Sequence, residues 1–81
     1  MSERVKTPHA VVTFNSTADA MAVQAASADG KVPGRMIPVP SEISAGCGLA
    51  WCVPAEQRDQ LEAALSAHQL AWAALNQVDL Y

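Results

Sequence analysis

Gly34-Arg35-Met36-Ile37-Pro38-Val39-Pro40-Ser41-Glu42-Ile43-Ser44-Ala45-Gly46-Cys47-Gly48-Leu49-Ala50-Trp51-Cys52-Val53 is the stretch on which the fold turns. Two apolar runs, Gly34–Pro40 and Leu49–Val53, flank a small polar segment, the pattern of two strands joined by a loop. Pro38 and Pro40 have no N–H to offer a ladder, so the first strand must lie at a sheet edge or end there. Within the loop a thiol, Cys47, stands between Gly46 and Gly48. Glycine has no Cβ, so the backbone beside Cys47 can turn tightly and a second macromolecule could approach the sulfur unhindered.

Upstream of this hairpin, His9–Phe14 (HAVVTF) is β-branched and apolar, short enough to be a strand buried on both faces. Ser16 is a good helix N-cap, and Asp19, three residues on, completes a capping box. The spacing predicts a helix over Thr17–Asp29, alanine-rich, with Met21, Ala25 and Ala28 recurring at i, i+4, i+7 so that small side chains let it lie close to a sheet. Gly30 ends it as a left-handed cap, and Pro33 prevents its continuation.

Downstream, Pro54 suits the first turn of a second helix, Ala55–His68. There Leu61, Ala64, Leu65 and His68 share one face, while Glu56, Arg58, Asp59 and Glu62 lie elsewhere. Leu70–Leu80 fits a continuing helix by period as well as a strand; the order of the earlier elements favours a strand. The predicted fold class is α+β, a ferredoxin-like β-α-β-β-α-β chain. It has a four-stranded antiparallel sheet in the order 4-1-3-2 and two helices on one face. That order puts the second strand at an edge, where its prolines are tolerated.

Eighty-one residues allow one domain. Residues 1–8 read as a flexible N-terminal arm and residues 9–81 as the domain. Sixteen alanines and only four aromatics, Phe14, Trp51, Trp72 and Tyr81, make the core shallow, which points to stability that is marginal or shared with a partner subunit. The net charge is −3, and the basic residues Arg4, Lys6, Lys31, Arg35 and Arg58 form no stripe. That argues against nucleic acid and anionic membranes. RNA binding is further disfavoured because the central strands lack the aromatics that stack bases. No apolar run approaches the ~20 residues that span a bilayer, and Met1–Pro8 is too polar for a signal peptide. A cytoplasmic location is expected.

Of the two thiols, Cys47 and Cys52, neither is placed to reach the other along an extended chain, which would hold them ~16 Å apart. A reducing compartment also favours free thiols. A lone C-x₄-C with His9 and His68 lacks the second pair of a zinc site, so no metal and no cofactor are expected. Cys52, inside an apolar strand, is read as a core or subunit-contact residue and, secondarily, as a resolving thiol. Trp51, its neighbour, points to the opposite face. If the helices cover the side of Cys52, Trp51 lies on the open face, where a partner could cover it; a homodimer follows from that placement. His9 and His68 have no carboxylate or serine at a meaningful spacing and read as ordinary surface or satisfied histidines.

The run Met36–Ala50 also resembles the signature of a small bacterial family of selenium/sulfur carrier-like proteins. That signature has the form (I/M)PVPR-EIS, two small residues, then CG(L/I)A. Val12–Ala20 (VTFNSTADA) is similar to the same family's opening V-T-F-x-S-T-x-D-A. Ser41 departs from it, standing where the pattern has a basic residue that would assist a thiolate. The resemblance favours a last strand over Leu70–Leu80. It implies a carrier for activated sulfur or selenium, held as a persulfide or selenopersulfide on Cys47, with Ile43, Ser44, Gly46 and Gly48 supporting the loop. Its partners would be a donor of the cysteine desulfurase type and an acceptor enzyme, and it would be a carrier rather than a turnover catalyst. Glu42 opposes ionisation of the thiol, which leaves the backbone N–H groups near Gly46 and Gly48 as the source of thiolate stabilisation. The other reading is a small dimeric regulatory or ligand-binding module in which Cys47 is an ordinary turn residue.

Overall fold

The computed structural model describes residues 6–40, Ile43 and residues 48–80. The elements run β1 (Thr7–Thr13), α1 (Thr17–Ala28), β2 (Arg35–Pro38), β3 (Leu49–Pro54), α2 (Arg58–Ala67) and β4 (Ala74–Leu80), with a short 3₁₀ turn at Ala55–Gln57 before α2. All three pairings are antiparallel and the sheet order is β2-β3-β1-β4, the predicted order read from its other end. β2, with Pro38 as its last residue, is an edge strand.

The inner parts of both central strands are closed to solvent on both sides. Ala10, Val11, Val12 and Thr13 of β1 and Ala50, Trp51, Cys52 and Val53 of β3 are each no more than 2 % exposed. The register sorts their side chains into two layers, because directly opposed residues of an antiparallel pair share a face. Val12 opposes Trp51 and Ala10 opposes Val53. This layer packs with Phe14, with Ala20 and Val23 of α1, and with Leu61 and Leu65 of α2, so both helices cover one face. Burying Leu61 or Leu65 fully contributes about 1.5–3 kcal/mol each, before entropy. On the other face Val11, Ala50 and Cys52 form a second apolar cluster against Ile37, Val39, Ile43, Val78 and Leu80.

Local chemistry sets the helix ends. The Ser16 hydroxyl accepts from the Asp19 N–H at 3.3 Å, as the N-cap reading requires. α1 ends on a Schellman motif: Gly30, at φ 77°, donates to Ser27 O and Lys31 donates to Ala26 O. α2 ends the same way, with Gln69 donating to Ser66 O and Leu70 to Leu65 O. There the left-handed position is held by Gln69 at φ 54°, a non-glycine that sequence reading passes over. Leu70 then packs on the core beside Leu65, the apolar contact that accompanies this motif.

Several expectations are corrected. The buried stripe of α1 is Ala20 and Val23, with Ala26 partly buried, whereas Met21 is 49 % exposed and Ala25 and Ala28 face solvent. With apolar residues on most sides of this helix, composition does not set its rotation, and β-branched Val23 packs best. Trp51 faces the helices and Cys52 the other side, the reverse of the arrangement from which a homodimer was expected. Pro54 closes β3 and caps the 3₁₀ turn Ala55–Gln57, so the α-helix starts only at Arg58, and His68 is the exposed C-cap of α2 rather than part of its buried face. The last strand begins at Ala74, which leaves Leu70 to the helix end and Trp72, 39 % exposed, to the connection. β1 takes in Thr7 and Pro8, two residues ahead of its predicted start.

The link between α1 and β2 is clamped onto β3. The Trp51 Nε1–H donates to Pro33 O at 2.7 Å. Gly34 beside it has φ 105°, and a Cβ there would lie 2.5 Å from the Cys52 carbonyl oxygen, 2.6 Å from Val53 Cγ1 and 2.7 Å from Trp51 Nε1. Gly34→Ala should therefore cost about 2–4 kcal/mol and lower Tm by roughly 10 °C or more. Gly30→Ala has a positive φ but open space around it, and should cost only about 1 kcal/mol. Equal losses for the two in a thermal melt would contradict the clamp.

Candidate functional site

Of the connection that carries the site foreseen in the sequence, the described residues Val39, Pro40, Ile43 and Gly48 follow the end of β2 and precede the start of β3. Val39 donates to Gly48 O at 3.1 Å, which extends the ladder one step past Pro38 before the connection opens. The Ile43 N–H donates to Pro40 O at 3.0 Å, closing a turn. Ile43 and Val39 pack on the cluster of Val11, Ala50 and Cys52, so the connection is anchored on the face away from the helices. Ser44, Gly46 and Cys47 lie outside the described residues.

Gly48 is exposed, its φ is not in the left-handed region, and an added Cβ would meet nothing within 4 Å. Neither its backbone conformation nor packing against the described residues explains a glycine at this position. Gly34 and Gly30 differ from it, since both need their positive φ.

Cys52 is a buried free thiol in the middle of β3, 2 % exposed. Burial pushes its pKa up, because a thiolate would lose its hydration, and the positive charge of Arg35 pulls the other way with less effect. Arg35 stands directly opposite Cys52 across the β2–β3 ladder. Sequence reading missed this pair because the long connection leaves the register of the two strands open. The signal was the edge strand's parity: Ile37 belongs with the second apolar cluster, which carries Arg35 to that same face.

The remaining candidates lie elsewhere. The His9 Nδ1–H donates to Thr7 O at 2.8 Å, a local contact within β1. His9 lines a shallow cleft of about 450 Å³ with Thr7, Pro8, Pro54, Ala55 and Glu56. That cleft is at the far end of the sheet, since His9 opposes Pro54 whereas Thr13 opposes Ala50. Among the described residues, no three His, Cys, Asp or Glu side chains are grouped to hold a metal ion, and no helix is long and apolar enough to cross a membrane.

Comparison with known proteins agrees with the resemblance seen in the motif. The family described as "Putative Se/S carrier protein-like" matches residues 9–77, and the chain belongs to it. No curated protein and no solved structure matches the chain.

The environment of Cys52 makes two outcomes measurable. Under native conditions iodoacetamide should leave Cys52 unmodified until denaturant is added, because access and the thiolate fraction are both low. Keeping this thiol neutral stabilises the fold below the ordinary thiol range near pH 8.5, and that contribution is lost as pH rises above it. The urea midpoint of the native chain should therefore fall more between pH 7 and pH 10 than that of Cys52→Ala. Parallel pH curves for the two would rule out the raised pKa.

Proposed function

From that family membership we propose that the protein carries activated sulfur or selenium on Cys47 and delivers it to an acceptor enzyme. The observation that supports this most directly is the contrast between its thiols and their surroundings. Cys52 is enclosed in the sheet with a raised pKa. Cys47 lies within the matched residues 9–77, in the run that resembles the family's signature, and adjoins Gly48, whose added Cβ would meet none of the described residues.

The chemistry needs no cofactor and no external oxidant. The Cys47 thiolate attacks the terminal sulfur of a donor persulfide, the donor's S–S bond breaks, and the donor cysteine leaves as thiolate. One thiolate is consumed and one is released, so the oxidation state of the transferred sulfur is unchanged. Delivery repeats the step in reverse roles: the acceptor's nucleophile takes the terminal sulfur or selenium, and Cys47 returns to thiolate. A cysteine desulfurase-type enzyme has the persulfide this requires of a donor. The protein's part is to present one thiol, flanked in sequence by Gly46 and Gly48, which is a carrier's task rather than a turnover catalyst's.

The test is persulfide loading followed by intact mass under anaerobic conditions, using a cysteine desulfurase with cysteine as the sulfur source. The native chain should gain one sulfur, and Cys47→Ser should gain none while melting at an unchanged temperature. Gly48→Ala should fold with an unchanged urea midpoint, since its Cβ meets nothing, yet load more slowly from the protein donor. Loading that survives Cys47→Ser, or no loading of the native chain from any persulfide donor, overturns the carrier reading.

A further inference from the structure

We propose that the outer edge of β4 docks a second copy of this chain, in antiparallel pairing about a two-fold axis through Gln77, so that two four-stranded sheets join into one of eight. The two edges of the sheet are unlike. β2 is four residues long, ends in Pro38 and carries Arg35, which are the devices that keep an edge from pairing. β4 is seven residues long, Ala74–Leu80, with neither proline nor a basic residue. Its inner edge is paired with β1 along the whole length, from Thr13–Ala74 to Thr7–Leu80. Its outer edge has no backbone partner among the described residues. About half of its residues therefore turn an N–H and a C=O outward. Nor does a helix cover that edge, because the main helix contacts with the sheet are to β2 and β3.

The same strand is suited to its own copy. Residues 74–80 are centred on Gln77, so pairing the full length puts Gln77 opposite its symmetry mate, Asn76 opposite Val78, Leu75 opposite Asp79 and Ala74 opposite Leu80. The two Gln77 amides then lie with Cβ atoms about 5 Å apart, within reach of a mutual hydrogen bond. No like charges meet: the two Asp79 carboxylates are four residues apart along the pair, about 13 Å, beyond the screening length at physiological salt. The axis stands perpendicular to the sheet, so both copies keep their helices on one side. An interface of this kind is isologous and closed, which ends assembly at two copies.

The experiment is the mass in solution, by sedimentation with reductant present so that disulfides contribute nothing. At about 100 µM, above the micromolar Kd of a small interface, the native chain should run at twice its 8.5 kDa mass. Gln77→Lys should run as a monomer with an unchanged circular dichroism spectrum and Tm, because residue 77 is exposed and the change sets two like charges about 5 Å apart only in the dimer. Arg35→Glu, on the opposite edge, should leave the dimer intact. A native monomer at that concentration, or a dimer that survives Gln77→Lys, overturns the proposal. Loss of the dimer in Arg35→Glu would place the interface on β2 and overturn it equally.

Discussion

The Trp51 indole holds the two halves of this fold together. Its N–H is the hydrogen-bond donor to Pro33 O, its ring lies in the core between the helices and the sheet, and the chain passes so close to β3 at Gly34 that a methyl group would collide with the Cys52 carbonyl. A buried indole N–H left without an acceptor would cost about 1–3 kcal/mol. The bond to Pro33 avoids that cost and fixes where the α1–β2 link lands. Because the link lands there, Arg35 and Met36 enter the sheet opposite Cys52 and Trp51. The register of the edge strand is thus set from its start, and the long connection to β3 need not set it.

That register decides which thiol the fold encloses. With Met36 and Trp51 under the helices, parity puts Cys52, Ala50, Ile37 and Val11 on the other face. In an antiparallel sheet with helices on one side, the second face is commonly wet. Here Val39 and Ile43 fold back onto it and Val78 and Leu80 flank it, so Val11 and Ala50 are fully buried. The shallow, alanine-rich core expected from composition is compensated by this second apolar layer, which spreads burial over both faces of β1 and β3.

The element order, the edge position of β2 and the start of α1 could be read from local chemistry: prolines that cannot donate, Ser16 with Asp19, and short β-branched runs. What could not be read were quantities set by packing. α1 is apolar on several sides, so its rotation depended on how Val23 fits the sheet rather than on any moment in its sequence. Leu70 looked like strand because it is apolar and follows a helix, yet it closes the C-terminal cap of α2 through Gln69, a residue with no glycine signal. The faces of Trp51 and Cys52 were reversed for a related reason. Either residue can be buried, and only the hydrogen bond to Pro33, between residues distant in sequence, decides between them. For the candidate site, the motif around Cys47 was legible as a motif; of its residues Gly48 is described, directly before β3 and accepting from the Val39 N–H.

Enclosing Cys52 also bears on the chemistry proposed for Cys47. A persulfide on one cysteine can be lost to a second thiolate that attacks its inner sulfur, forming a disulfide and expelling the terminal sulfur as hydrosulfide. A carrier with two competent thiols would discharge its cargo on itself. Attack requires the thiolate and a path to the sulfur. Cys52 is short of both: burial raises its pKa, and its side chain lies among Val11, Ala50 and the residues packed against them. Arg35, the one charge that would favour the thiolate, is across the ladder on the exposed edge strand and is outweighed by desolvation. On the carrier reading, a cysteine at position 52 is tolerable because the Trp51–Pro33 bond turns it into the closed layer of the sheet, and the constraint that sets the register also protects the cargo.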